Sequence, residues 1–235
     1  MMITLVAIGF FLVPLVAGMA VRWARPGVQW MKLLLSFSGA FLLGVVFLHM
    51  LPELYEEEGM GVGLWILSGF LLQVVLEFFS HGIEHGHVHV HSHTGRALPV
   101  LTLLSLCIHS FVEGMPFADP AVSADGHFLT GVLLHKLPMA VALATVLDRS
   151  GAKATHAIAM LLIFALAAPL GIFTGHLVGE ELGGHFLHSM LGIAIGMLLH
   201  ISTTIIFEGA PEHRFVAARF VSVLIGAALA ALTIH

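Results

Sequence analysis

The feature that most constrains this chain is a series of eight apolar stretches, each about long enough to cross a lipid bilayer. A helix that spans the hydrocarbon core of a bilayer needs about 20 apolar residues. Only 10% of the residues are charged, whereas a soluble domain has about a quarter. The sequence therefore predicts an all-α polytopic membrane protein with eight transmembrane helices in one domain over residues 1–235. The stretches run near residues 3–21, 33–53, 61–80, 98–117, 128–147, 154–178, 186–207 and 215–234.

Basic and acidic residues alternate between the connections that join these stretches. The first, third, fifth and seventh connections hold the basic ones: Arg22, Arg25, Lys32, Arg96, Arg149, Lys153, Arg214 and Arg219. The other connections hold acidic residues instead. Because cytoplasmic loops carry an excess of Lys and Arg, we expect an integral protein of the cell membrane with both termini extracytoplasmic. The net charge of −5 argues against nucleic acid as a partner, since phosphate binding needs a basic surface.

The third connection, residues 81–97, is long and rich in histidine. Neutral imidazoles bind zinc, copper and nickel well, and a flexible tract can wrap around such an ion. A solvated linker with incidental histidines is the alternative interpretation. We predict that this cytoplasmic loop binds metal through His85, His87, His89, His91 and His93, with His81 at its start.

Ionisable residues near the middle of two predicted spans are the strongest functional signal, because such groups are costly at bilayer depth. Span four contains His109 and Glu113, and span five contains His135 and Met139. A spacing of four residues places each pair on one helix face. His109 lies about 16 Å along span four and His135 about 10 Å along span five, so antiparallel helices bring both near the bilayer centre.

Two histidines and one carboxylate suit zinc and other late first-row divalent ions. Pro138 lies beside His135 and removes one backbone hydrogen bond, and helices broken at the midplane often form ion sites in transporters. A polar cluster that only holds helices together is the alternative. Lys136 cannot ligate a metal while protonated, but it can place positive charge beside Glu113; the alternative is a lysine that snorkels toward the membrane interface.

Further polar residues occur toward the ends of two other spans. His49 and Glu53 lie at the outer end of span two, where they could gather ions. His200 lies in span seven and Glu208 at its cytoplasmic end, where they could release ions. We predict that these four residues belong to an ion pathway.

Three of these segments resemble the ZIP (Zrt/Irt-like protein) family of metal transporters. The run GAFLLGVVFLHMLPE resembles the second helix of the family, and HSFVEG resembles its fourth-helix motif. HKLPMA resembles the fifth-helix motif in its lysine-bearing version. The eight-span plan, the outward termini and the histidine-rich third connection match the family as well.

The resemblance implies uptake of a divalent metal, most often zinc, into the cytoplasm. It implies a fold in which spans one to three recur as six to eight with inverted topology. The main-site ligands would be His109, Glu113 and His135, with Met139 at a fourth position that is often a carboxylate. The second-site positions fall on Ser110 and Lys136, so a mainly mononuclear site is expected and a binuclear centre is not. Zn²⁺ would be the transported substrate, with Fe²⁺, Mn²⁺ or Cd²⁺ as other candidates, and no prosthetic group is implied.

Two other functions compete with transport. An intramembrane zinc-dependent hydrolase would need a metal-activated water and a base, and Glu113 could nominally serve; however, the sequence has no HExxH motif and Lys136 opposes a water-activating centre. A metal sensor that does not transport is the second alternative. We expect no enzymatic activity. Small residues in spans six and eight fit close packing either within the chain or in a homodimer: Gly171, Gly175, Gly226 and Ala227.

Overall fold

The computed structural model describes residues 1–24, 27–80, 82, 97–208 and 217–233. No strand occurs among these residues, so the predicted all-α class is confirmed. The α-helices are α1 (Met2–Ala24), α2 (Val28–Val45), α3 (Leu51–Glu58), α4 (Val62–Ser80), α5 (Ala97–Gly114), α6 (Pro120–Ala124), α7 (Gly126–Arg149), α8 (Ala154–Leu182), α9 (Gly184–Glu208) and α10 (Ala217–Thr233).

The long helices coincide with the predicted membrane spans. Six helical segments within the described ranges are long and apolar enough to cross a membrane. One of them, Gln29–Ser80, has 52 residues and contains the second and third predicted spans, which meet at a 3-10 turn over Gly59–Gly61. Ala217–Thr233 is a shorter apolar helix at the position of the eighth. The predicted polytopic membrane class is therefore confirmed.

The second span contains an irregular turn that the apolar pattern did not indicate. Between α2 and α3 the backbone forms a π-helical turn over Val46–Met50, just before Pro52. Proline has no backbone N–H and cannot continue the ordinary hydrogen-bond ladder, and the wider turn accommodates the gap. Turns of this kind are rare and lie frequently at functional sites. His49 is part of this turn.

The proline of the fifth span has a smaller effect than the sequence suggested. Helix α7 runs without interruption through Pro138 from Gly126 to Arg149. The one backbone hydrogen bond that Pro138 removes does not break the helix, because the rest of α7 is held by its neighbours. His135 stands on a continuous helix, which fixes its position more firmly than a loop would.

The long helices pack as two rows of four. In one row the order of neighbours is α7, α1, α8, α5, and in the other it is α10, α2, α9, α4. An exchange of the helices of spans one to three with those of spans six to eight pairs α1 with α8, α2 with α9 and α4 with α10. If α5 is exchanged with α7 as well, each row keeps the same four helices in reverse order. This is the pairing that the predicted inverted repeat requires. The two rows meet where α2 contacts α7, where α5 contacts α4 and α9, and where α8 contacts α9.

Glycines allow the backbones within each row to approach closely. A Cβ added at Gly171 of α8 would lie 2.0 Å from the carbonyl oxygen of Phe111 in α5, and one at Gly226 of α10 would lie 2.4 Å from that of Phe37 in α2. Gly175 of α8 faces Met115 and Ala118, in the 3-10 turn Met115–Ala118 that follows α5. These glycines therefore serve packing within the chain, which was one of the two interpretations above; the homodimer stays a prediction.

Candidate metal centre

Helices α5 and α7 bring three metal-ligating side chains to one point, which we call the central site: His109, Glu113 and His135. One ligand atom from each residue lies within 4.8 Å of the others. His109 Nε2 is 2.9 Å from Glu113 Oε1, and the two imidazole rings have centroids 6.0 Å apart. None of the three residues is more than 1% exposed. The structure thus brings three of the predicted ligands together in the buried interior.

The close contact between His109 and Glu113 has the distance of an ion pair but not the geometry of a hydrogen bond. Their facing atoms, Nε2 and Oε1, have no hydrogen-bond partner in the described part of the chain. Buried polar atoms are nearly always hydrogen-bonded, so an exception needs an explanation. Two electron-pair donors side by side are the arrangement that a shared cation stabilises, and His and carboxylate ligands suit Zn²⁺.

Lys136 occupies the other side of the Glu113 carboxylate. Its Nζ donates to Glu113 Oε2 and, at 2.8 Å, to Ser110 Oγ. Lys136 is 0% exposed, so it does not snorkel to an interface. A buried ammonium and a buried carboxylate compensate each other. One oxygen of Glu113 therefore balances a fixed positive charge, and the other remains directed toward His109.

Met139, the fourth residue of the predicted set, is also buried, at 1% exposure. It belongs to an apolar cluster that includes Leu106, Leu143 and Phe164. A methionine in such surroundings serves packing whether or not its sulfur reaches an ion. Its role as a ligand stays a prediction.

A second group of ligand-type residues, the outer cluster, consists of His49, Glu53 and Asp125. His49 Nε2 lies 3.1 Å from Asp125 Oδ2 and 3.8 Å from Glu53 Oε2. The side chains of the three are 32%, 53% and 12% exposed, in that order. The sequence analysis named the first two but missed Asp125. Its signal was an acidic residue just before span five, on the same side of the membrane as Glu53.

Asp125 has two separate tasks. Its Oδ1 accepts hydrogen bonds from the backbone N–H groups of His127 and Phe128, at 2.9 and 3.1 Å, and so caps the start of α7. Its Oδ2 faces His49. A cavity of about 70 Å³ adjoins the outer cluster and is lined in part by Glu53, Glu57, Asp119, Asp125 and His188.

The residue predicted on the opposite side, His200, pairs with an acidic residue that sequence reasoning missed. His200 Nε2 lies 3.4 Å from Glu77 Oε2 of α4. The ring of Phe70 meets the His200 ring edge-on at 4.9 Å between centroids. The side chain of Glu208 lies outside the described residues, as do His85, His87, His89, His91 and His93.

Helix α4 also reaches the central site through Gln73, which the sequence analysis did not single out. Gln73 is 0% exposed, and its Oε1 lies 2.9 Å from His109 Nδ1. An amide in the middle of a predicted span was the available signal, because a buried amide needs hydrogen-bond partners.

Comparison with known proteins supplies a family for this arrangement. A family model described as "ZIP Zinc transporter" matches residues 96–233, which include the whole central site. Zinc transporter ZIP13 of Pongo abelii is 32% identical over 177 residues, covering 68% of this chain and 52% of the relative. Zinc transporter ZIP1 of Plasmodium falciparum is 31% identical over 141 residues, covering 57% and 39%.

A third relative, zinc transporter ZIP2 of Homo sapiens, is 32% identical over 124 residues, covering 50% of this chain and 40% of the relative. The chain thus spans about half the length, or less, of these curated relatives. The family model nevertheless covers more than half of this chain, and it contains two of the three helices whose motifs suggested the resemblance. The chain belongs to the ZIP zinc transporter family.

Proposed function

We propose that this protein moves divalent metal cations, zinc foremost, across the membrane into the cytoplasm through the central site. The observation that carries the proposal is the convergence of His109, Glu113 and His135, fully buried, from two membrane-spanning helices. Ionisable groups in such a place mark ion pathways in membrane proteins. Relatives named as zinc transporters favour zinc as the substrate, while the same ligands also suit Fe²⁺, Mn²⁺ and Cd²⁺.

The outer cluster is the proposed entrance. Its carboxylates stand beside a cavity with further acidic side chains, and a cavity lined by one sign of charge raises the local concentration of the opposite ion. His49 and Glu53 on one row of helices and Asp125 on the other face each other. The ion passes between the rows and exchanges water for protein ligands as it approaches α5 and α7.

The central site holds one ion, because Lys136 occupies the place beside Glu113 where a second cation would need to lie. The formal charges of Glu113 and Lys136 cancel, so an arriving divalent ion meets two imidazoles and one shared carboxylate. Such a site binds more weakly than an unshared one. Conduction needs sites that an ion can leave as well as reach, and this charge balance serves release.

The proposed exit leads past His200 and Glu77 toward Glu208 at the end of α9. The His200–Glu77 pair offers an imidazole and a carboxylate near the C-terminal end of α4, away from the outer cluster. The histidine-rich loop after α4, residues 81–97, is proposed to receive or buffer the ion in the cytoplasm. Both termini would then be extracytoplasmic, and the cell membrane is the proposed location.

The two rival functions have less support. A hydrolase needs a metal-bound water and a free base, whereas Glu113 is held by Lys136. A sensor needs a metal site but no ligand groups on both sides of it, and this chain has the outer cluster and the His200–Glu77 pair. The outer cluster and the His200–Glu77 pair have no role in a hydrolase or in a sensor.

The proposal is tested with purified protein in liposomes loaded with a zinc-sensitive dye. Zinc added outside should enter with the wild type and should not enter with His109→Ala/His135→Ala. The matched control is His156→Ala/His176→Ala, which removes two exposed histidines of α8 and should transport normally. Equal uptake by the central double variant would place the pathway elsewhere. No uptake of zinc, iron, manganese or cadmium by the wild type would favour the sensor or the hydrolase.

A further inference from the structure

We infer that Gln73 is a positioning residue of the metal site, which holds His109 in the tautomer that directs Nε2 at the cation. The inference rests on the proposed transport function and concerns a residue outside the ligand set. Gln73 comes from α4, in the opposite row of helices from α5. It makes the hydrogen bond that His109 needs on the side of its ring that faces away from Glu113.

The hydrogen bond to Gln73 determines which nitrogen of the His109 imidazole carries the hydrogen. The Oε1 atom of Gln73 lies 2.9 Å from Nδ1 of His109, and both side chains are 0% exposed. An amide oxygen can only accept, so Nδ1 must carry the hydrogen in this contact. A neutral imidazole has one such hydrogen. Nε2 is then left with its lone pair, which is the form that binds a metal.

The second step is the contact on the opposite side of the ring. With the hydrogen on Nε2, His109 would donate to Glu113 Oε1 at 2.9 Å, and Nδ1 would face Oε1 of Gln73 lone pair to lone pair. Nε2 and the Glu113 oxygen lie 2.9 Å apart without the geometry of a hydrogen bond, which favours the lone pair on Nε2. Both contacts of the ring therefore agree on one tautomer. Metal-binding histidines usually donate their second ring N–H to an oxygen acceptor of this kind.

The third step is the choice of an amide. A carboxylate at this position would also accept from Nδ1, but it would add a negative charge to a dry site in which Glu113 is already balanced by Lys136. The amide accepts without adding charge. The amide itself has a cost, because Nε2 of Gln73 is a buried donor with no partner among the described residues, and an unmet buried donor is destabilising. A role for Gln73 in packing alone would not explain why a buried amide is placed where its N–H groups lack a partner.

The α4–α5 contact offers a matched control. Ser105 Oγ donates to the backbone carbonyl of Leu76 at 2.7 Å, so it also joins these two helices through a buried hydrogen bond. Ser105 lies one turn from His109 on α5 but does not touch the imidazole through this bond. Ser105→Ala therefore removes a bond of the same interface without removing the acceptor of His109.

The experiment uses the full chain in lipid nanodiscs with ¹⁵N-labelled histidine. Long-range ¹⁵N–¹H NMR reports which ring nitrogen of His109 carries the hydrogen, with the signal assigned by its loss in His109→Ala. Zinc affinity is measured by titration calorimetry on the wild type, Gln73→Leu, Gln73→Glu and Ser105→Ala. Zinc uptake by the same proteins in liposomes gives KM and Vmax.

We expect the hydrogen on Nδ1 in the wild type, Gln73→Glu and Ser105→Ala. Gln73→Leu should shift it toward Nε2 and weaken zinc binding by about 10- to 100-fold, the usual loss when a hydrogen-bond partner of a ligating histidine is removed. Gln73→Glu should bind zinc at least as tightly as the wild type, since it keeps the acceptor. Ser105→Ala should stay within about threefold of the wild type, as expected for one neutral hydrogen bond.

Three results would overturn the inference: a wild-type hydrogen on Nε2, an unchanged tautomer and affinity in Gln73→Leu, or equal losses in Gln73→Leu and Ser105→Ala. The wild-type tautomer decides the question even if the leucine variant does not fold. If the NMR and affinities behave as expected but the wild type moves no zinc, the proposed transport fails and the assignment of Gln73 stands.

Discussion

The central site and the outer cluster use the same kinds of ligand in opposite surroundings. The central site has two histidines and one carboxylate, none more than 1% exposed. The outer cluster has one histidine and two carboxylates, 12% to 53% exposed. Only in the central site does a lysine ammonium contact the carboxylate among the contacts of the described residues.

This difference shows that the types of ligand alone do not determine whether a group of residues binds a dehydrated ion or attracts hydrated ones. Removing a charge from water is costly unless a partner compensates it, so the central carboxylate needs Lys136 whenever no metal is bound. At the outer cluster, water stabilises the charges and salt screens them. The first arrangement suits selection of one dehydrated ion, and the second suits attraction of hydrated ones.

Replacing Lys136 by methionine should break the compensation of the central site. Loss of one partner leaves Glu113 as a buried unpaired charge, which should lower the free energy of unfolding by about 3–5 kcal/mol. Zinc should restore much of this loss, because the ion supplies the missing positive charge. Thermal unfolding in detergent, with and without zinc, measures both effects. The control Lys153→Met, at an exposed position, should change little, and equal effects in both variants would contradict the account.

Alanine at His135 should separate the two sites functionally. Removing a ligand should lower zinc uptake by about a hundredfold or more, since even loss of a partner of a ligand costs 10- to 100-fold. His49→Ala in the outer cluster should keep its maximal rate within about fivefold, as expected for an exposed interaction. Initial rates in liposomes at saturating zinc measure both. Normal zinc uptake by His135→Ala together with loss of uptake by His49→Ala would reverse the assigned roles.

Asparagine at Asp125 should affect ion capture alone. Asparagine still caps α7 but lacks the charge that faces His49. The KM for zinc should rise about twofold to fivefold, because the partly exposed pair with His49 should contribute about 0.2–1 kcal/mol, as surface charge pairs do, and Vmax should stay the same. The matched variant is Asp119→Asn, which also caps a helix and lines the cavity. An equal rise in both variants would assign the effect to the cavity as a whole.

Ionic strength should act on the outer cluster and spare the central site. Raising an inert monovalent salt from 0.01 to 0.1 M shortens the screening length from about 30 Å to about 10 Å. The wild-type KM should rise by up to about twofold under this change, while Vmax stays constant and Asp125→Asn responds less. A salt effect on Vmax would contradict the view that the buried site is shielded from solvent ions.

The central site was predictable from sequence because its main signal is local. His109 and Glu113 lie one helical turn apart, and the cost of burying them singles them out. The depth of His135 along its own span placed it at the same level. These inferences need only helix geometry and a bilayer of known thickness, so they hold without knowledge of how the helices pack.

The residues that were missed owe their positions to packing between helices. Gln73, Glu77 and Asp125 each meet a histidine on another element, and no spacing along the chain relates the partners. The π-helical turn at Val46–Met50 was also missed, because an apolar run does not distinguish it from a regular helix. Pairings set by the two rows of helices became visible only in the fold.

The most direct measurement is anomalous diffraction from crystals soaked in zinc at the concentration that saturates uptake. We expect an anomalous peak between α5 and α7, about 2.0–2.2 Å from a nitrogen of His109, a nitrogen of His135 and an oxygen of Glu113. Weaker density at the outer cluster would fit its role in capture. A peak at the outer cluster with none in the central site would contradict the account, because the buried ligands would then not be where the ion binds.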